Sequence, residues 1–194
     1  MYARRDIFKL GLSGASMAAG ATLLPGLGKA QGYLGAQGFW GAPGGLGPRE
    51  VAVHNLHTGE SISAIYFDRG RYVQDALDAM NHVMRDYRTG EIHEMQPQLF
   101  DLWHTIRDVT GSRRPFQIIS GYRSPETNAM LHETTNGVAQ NSYHMKGMAS
   151  DIRLEDVELS HLHSAALAIG RGGVGYYPSS DFVHVDVGPV RHWG

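Results

Sequence analysis

The chain has 194 residues, 42% of them hydrophobic, with a formal net charge of -2 and no cysteine. This length and composition suffice for one globular domain with its own core, and the near-neutral charge argues against nucleic acid as a partner. Without cysteine the chain forms neither disulfides nor thiolate metal sites, so any metal ligands must be His, Asp or Glu.

The N-terminal segment has the composition of an export signal. Arg4 and Arg5 precede an uncharged run from Leu10 to Leu27, and the small residues Gly28 and Ala30 offer a cleavage site. This order is typical of secreted proteins, and the arginine pair favours the twin-arginine route. We predict a twin-arginine-type signal at residues 1–30, a periplasmic location, and no stable membrane span in the mature protein.

Residues 31–48 are rich in glycine, which predicts a flexible linker before a single domain at residues 49–194. A turn signal at Thr58-Gly59 separates two strands of a hairpin. Helical spacing of apolar residues begins at Val73 and again at Pro97, a favoured first residue of a helix. The remaining predicted elements are strands at 116–120, 149–154, 173–177 and 182–187, a helix at 125–132, and a helix capped by Ser160 that ends near Gly170.

This order of elements indicates an α+β fold, with a small, mostly antiparallel sheet and helices packed on one side. On the last strand, Val183 and Val185 suit the core, so His184 and Asp186 face the other way. If this strand pairs with the strand at 149–154, Asp151 and His184 meet across the sheet. Gly147 lets the chain fold back, which brings His144 to the same place.

Two histidines and one aspartate form a ligand set that zinc accepts, with one coordination position left open. The same donor set also accepts manganese or cobalt. The spacing differs from the helical His-Glu-x-x-His pattern of the common zinc proteases. We therefore predict a metal site held by His144, Asp151 and His184.

The pattern Ser-x-His-x-x-Gly-x-Ala-x-Asp at residues 142–151, followed by a late strand bearing His184, resembles a group of zinc metallopeptidases. The group includes D-alanyl-D-alanine carboxypeptidases, VanX-type dipeptidases and lysostaphin-like enzymes. Within it, the chain is most similar to murein endopeptidases of the MepK type. The residues that carry this resemblance are Ser-Gly-Tyr-Arg-Ser at 120–124, Val-Gly-Tyr-Tyr-Pro at 174–178, and Val-His-Val-Asp-Val-Gly at 183–188 with Arg191 and Trp193.

The resemblance implies that one zinc ion per chain is bound by the three predicted ligands. Arg123 would lie over the site and hold the substrate carbonyl oxygen. The general base is open between Asp181, three residues before the last ligand, and Asp186, which is alternatively a partner of His184. Asp181 is the favoured base. Two further candidates for substrate binding are Ser142, which caps a turn in the alternative interpretation, and Tyr122, for which packing is the favoured role.

The implied reaction is hydrolysis of an amide bond in the cross-linking peptides of peptidoglycan, with these peptides as the predicted partners. Two alternatives are a D-alanyl-D-alanine carboxypeptidase on the same scaffold and a non-catalytic, zinc-containing wall-binding module. A scaffold protein that uses the glycine-rich linker is disfavoured, because such a protein needs no metal ligands. The sequence predicts neither the bond that is cut nor the oligomeric state.

Overall fold

The computed structural model describes residues 47–135 and 138–194. The predicted signal at 1–30 lies outside these residues, as does the predicted linker at 31–48 except for Gly47 and Pro48. In the described part of the chain, no helix has the length and apolar character needed to cross a membrane.

Eight strands in the described ranges form one sheet, in the order β3-β2-β1-β4-β5-β7-β6-β8. Their bounds are β1 Arg49–Asn55, β2 Ser61–Asp68, β3 Arg71–Tyr72, β4 Phe116–Ser120, β5 Ala149–Arg153, β6 Gly173–Tyr177, β7 Phe182–Asp186 and β8 Arg191–Trp193. The pairs β1–β4 and β6–β8 are parallel, and the other five pairs are antiparallel. The helices are α1 Gln74–Val83, α2 Pro97–Thr110, α3 Pro125–Thr134 and α4 Leu159–Ile169. The predicted α+β fold with a mostly antiparallel sheet is confirmed.

Most predicted elements are present, and the differences have simple causes. The hairpin forms as β1 and β2, and Pro97 is the first residue of α2. Ser160 is not the N-cap of α4, because the helix already begins at Leu159, whose side chain packs against the core. Strands β3 and β8 have two and three residues, which is too short for an alternating pattern to reveal them.

The hydrophobic core lies on one face of the sheet, under α1, α2 and α4. Trp103 of α2 is completely buried between Phe100 and Phe116, and its indole N–H donates to the Ser150 hydroxyl at 3.1 Å. Because Ser150 and Ile152 of β5 point into this core, the alternation of the strand turns Asp151 to the opposite face. The packing of the core therefore determines which side chains of β5 face away from it and can take part in a functional site.

Candidate metal centre

The pairing of β5 with β7 places the first two predicted ligands side by side. Asp151 is directly opposite His184 in the antiparallel register, as the sequence predicted. Val183 and Val185 are buried in the core, so His184 faces away from it together with Asp151. Both ligand candidates are nevertheless buried, because other parts of the chain cover this face.

The third predicted ligand, His144, belongs to a short helical turn at Tyr143–Lys146 that precedes β5. The Ser142 hydroxyl caps this turn by accepting a hydrogen bond from the His144 amide at 3.3 Å. Gly147 ends the turn with a φ of 63°, and a side chain there would collide with the backbone of Glu94. His144 donates from Nδ1 to the Gly121 carbonyl at 2.7 Å, which leaves Nε2 facing the other two ligands.

The three facing atoms have the spacing of ligands around one ion. Nε2 of His144 lies 3.2 Å from Nδ1 of His184 and 3.3 Å from Oδ1 of Asp151. Nδ1 of His184 lies 2.9 Å from the same Oδ1 atom. A tetrahedral zinc ion with bonds of about 2.0–2.1 Å holds its ligand atoms about 3.3 Å apart. The donor types and their separations therefore fit zinc.

The surroundings of His144 and Asp151 favour the protonation states that bind metal. Burial lowers the pKa of His144, so its imidazole is neutral and Nε2 can ligate. Burial alone would raise the pKa of Asp151, but the Arg123 guanidinium against Oδ2 holds this pKa well below its ordinary value. The carboxylate is consequently ionised and the imidazole is neutral, which are the forms required of both ligands.

Asp186 is completely buried behind His184 and has every acceptor direction engaged. Oδ2 accepts from His184 Nε2 at 3.1 Å and from Arg191 Nη2 at 2.6 Å, and Oδ1 accepts from the amides of Gly173 and Gly188 at 3.0 and 2.8 Å. Burial would raise the pKa of Asp186, but His184 and Arg191 lower it. Because Nε2 of His184 donates to Asp186, Nδ1 is the atom left for a metal.

The structure brings Arg123 to the ligand cluster. Its Nη2 donates to Oδ2 of Asp151, and its Nε donates to the Ser120 hydroxyl at 2.8 Å. Ser142, which caps the turn at His144, also lines the cavity in front of the ligands. Both residues thus line the same cavity as the three ligand candidates.

The structure does not bring Asp181 to the ligands. Asp181 has a φ of 55° at the end of the turn Pro178–Ser180, which breaks the strand alternation before Phe182. Its side chain is 62% exposed, forms an ion pair with Arg153 and lines no part of this cavity. Its role as the general base stays a prediction.

Tyr122 is likewise absent from the cavity wall. It is buried, its hydroxyl donates to Glu91 at 2.8 Å, and its ring stacks on His93. The packing role that the sequence analysis favoured therefore describes its surroundings better than substrate contact does.

The ligands lie at the floor of a cavity of about 720 Å³. Its walls include residues that the sequence analysis did not select as site residues. On the β1 side these are His57, Tyr87 and Arg88, and on the β8 side they include Tyr177, Phe182 and Trp193. No local pattern could have found them, because the fold gathers them from separate segments.

Comparison with known proteins identifies the family. The family model described as peptidoglycan L,D-endopeptidase MepK matches residues 45–193. The peptidoglycan L,D-endopeptidase MepK of Escherichia coli (strain K12) is 50% identical over 146 residues, which cover 75% of this chain and 80% of that protein. The probable peptidoglycan L,D-endopeptidase MepK of Haemophilus influenzae is 43% identical over 147 residues, covering 75% and 79%. These matches confirm the resemblance found in the motifs: the chain is a peptidase of the peptidoglycan L,D-endopeptidase MepK family.

Proposed function

We propose that this chain is a zinc-dependent peptidoglycan endopeptidase that hydrolyses cross-linking peptide bonds of the cell wall. The observation that carries the proposal is the buried set of His144 Nε2, Asp151 Oδ1 and His184 Nδ1, spaced for one ion at the floor of an open cavity. Membership of an L,D-endopeptidase family supports the substrate class. When bound, zinc supplies Lewis acidity, which polarises the scissile carbonyl and lowers the pKa of water.

Arg123 is proposed to hold the carbonyl oxygen as that oxygen gains negative charge. Its guanidinium already lies against Oδ2 of Asp151, while Oδ1 of the same carboxylate faces both histidines. One carboxylate thus fixes the distance between the ligand cluster and the donor for the oxyanion. The Ser120 hydroxyl holds Nε of Arg123 and restricts its rotation.

Asp186 is proposed to position His184 rather than to accept a proton. A carboxylate with four donors, no exposure and a lowered pKa is a poor base, whereas a buried acceptor for the second imidazole nitrogen orients a metal ligand. Asp181, the favoured base in the sequence analysis, would first have to leave Arg153. The geometry therefore supports a structural role for Asp181 in its present place.

The test is a digest of cross-linked muropeptides by the purified zinc-loaded chain, analysed by mass spectrometry. An endopeptidase converts dimers to monomers. A carboxypeptidase removes terminal alanine and leaves the cross-links intact, and a wall-binding module does neither while still binding sacculi. The same protein treated with a chelator is the control, because the proposal requires cleavage to stop without metal.

We further propose that the chain reaches the periplasm by the twin-arginine route, on the basis of Arg4, Arg5 and the uncharged run that follows. A reporter fused after residue 40 should leave the cytoplasm. The double substitution Arg4→Lys and Arg5→Lys should block this export. Unchanged export of the double variant would instead assign the signal to the general secretory route.

A further inference from the structure

Three flat side chains form a stack at the β1 side of the cavity. The His57 ring lies on the Tyr87 ring with centroids 3.8 Å apart and planes inclined by 11°, and the Arg88 guanidinium lies 4.3 Å from the centre of the Tyr87 ring. His57 donates from Nε2 to the carbonyl of Ile119 at 3.0 Å. The stack is thereby attached to β4, the strand that leads to Arg123.

The charges on the cavity wall single out Arg88. Of the three arginines that line this cavity, Arg123 pairs with Asp151 and Arg191 pairs with Asp186. Within residues 47–135 and 138–194, no carboxylate lies within 4.0 Å of the Arg88 guanidinium. Among the described residues that line the wall, Asp151 is the only acidic one, and its oxygens are already engaged. Among the described residues of the wall, Arg88 thus carries a positive charge that no carboxylate pairs with, and its guanidinium lies over an aromatic ring.

The backbone at this place is fixed rather than free. Asp86 is buried, and its Oδ1 accepts from the Arg88 amide at 2.9 Å while its Oδ2 accepts from the Ser124 amide at 2.8 Å. Ser124 follows Arg123 directly. One carboxylate therefore holds the segment that carries Arg88 and the segment that carries Arg123 in a defined relation. Such mutual positioning is what recognition of an extended ligand requires.

We propose that Arg88, stacked on Tyr87, is a specificity-determining residue that binds a free carboxylate of the substrate on the β1 side of the scissile bond. The inference rests on the proposed function, because the ligand is the cross-linked peptide. An arginine offers paired N–H donors to a carboxylate, and stacking on the ring limits the entropy lost when it binds. Asp86 is the positioning residue for this interaction.

Three versions of one cross-linked muropeptide dimer test the proposal: all carboxylates free, the C-terminal carboxylate amidated, and the side-chain carboxylate amidated. The unmodified chain should cleave the free form about 10–100-fold more efficiently, in kcat/KM, than one of the two amides, since hydrogen bonds to charged groups contribute on that scale. The amide that loses efficiency identifies which carboxylate Arg88 binds. Most of the change should appear in KM.

In Arg88→Gln, kcat/KM on the free form should fall to about that of the discriminated amide, so that the preference disappears. Arg113→Gln removes an exposed arginine outside this cavity and should keep the full preference. Equal cleavage of all three dimers by the unmodified chain overturns the subsite and leaves the proposed function standing. Cleavage of none of them contradicts the proposed function itself. An equal loss on all three dimers in Arg88→Gln assigns Arg88 a structural role and also overturns the proposal.

Discussion

The two faces of the central strands differ in how they are built. On the covered face, Ile152, Val183 and Val185 pack under three helices, and each stabilises the fold mainly because its apolar surface is removed from water. On the opposite face, Asp151 and His184 are also buried, but each of their polar atoms has a specific partner. The comparison teaches that burial alone does not distinguish core from site. On the covered face the volume of each side chain determines the packing, whereas on the opposite face the hydrogen-bonding partner of each polar atom determines what the site can bind.

The largest expected effect that separates the two faces is the loss of a ligand. His184→Ala should reduce bound zinc from one ion per chain to almost none and reduce muropeptide cleavage to background, because two ligands hold zinc poorly. Metal content is measured by elemental analysis and cleavage by mass spectrometry on the same samples. Full retention of metal by His184→Ala would contradict the assignment of this ligand.

The matched control lies on the covered face of the same sheet. Trp103→Ala should lower the free energy of unfolding by about 3–5 kcal/mol, because it leaves a cavity among buried aromatic side chains. Urea unfolding of both variants in chelator, which removes the contribution of bound metal, should show a smaller loss for His184→Ala. The reverse order would mean that the ligand face also carries much of the stability.

A smaller effect separates the two aspartates that flank His184. Asp186→Asn should weaken zinc affinity by about 10–100-fold, because partners of a ligand tune affinity on that scale. Asp181→Asn should keep its zinc and keep turnover within about an order of magnitude, because its carboxylate pairs with Arg153 outside the cavity. A loss of about 10²–10⁴-fold in Asp181→Asn, with zinc still bound, would restore Asp181 as the general base. Competition with a metal indicator measures the affinity.

The covered face was accessible to sequence reasoning because its signals are local. Alternation on the last strand predicts that Val183 and Val185 point inward and that His184 points the other way. If this strand pairs with the strand at 149–154, Asp151 and His184 meet across the sheet, which the observed register confirms. The ligand set could also be predicted from local signals. His144 and Asp151 lie in one short segment on either side of Gly147, and His184 lies on the last strand. The fold class and the family resemblance rest on these segments too.

The rest of the site could not be predicted, because it depends on contacts between distant segments. For Asp186, the amide of Gly173 comes from another strand, and spacing alone does not show that Arg191 and Gly188 turn back to donate to the same carboxylate. The position of Asp181 away from the ligands could not be predicted either, since spacing along the chain does not reveal a left-handed residue directly before the strand. Tyr87 and Arg88 lie beyond the end of a helix, and only the cavity that they line identifies them as candidate site residues.

Two glycines of β6 carry a consequence for the mutational tolerance of the protein. A methyl group on Gly175 would lie 2.7 Å from the indole of Trp193, and one on Gly173 would collide with both Asp186 and Arg191. Even glycine to alanine, the smallest enlargement available, must therefore displace the pair that orients His184 or the ring beside it. Substitutions that adapt this enzyme to other substrates are consequently better tolerated on the β1 side of the cavity, where exposed side chains can be exchanged. Along β6 they are poorly tolerated, because the packing there requires glycine.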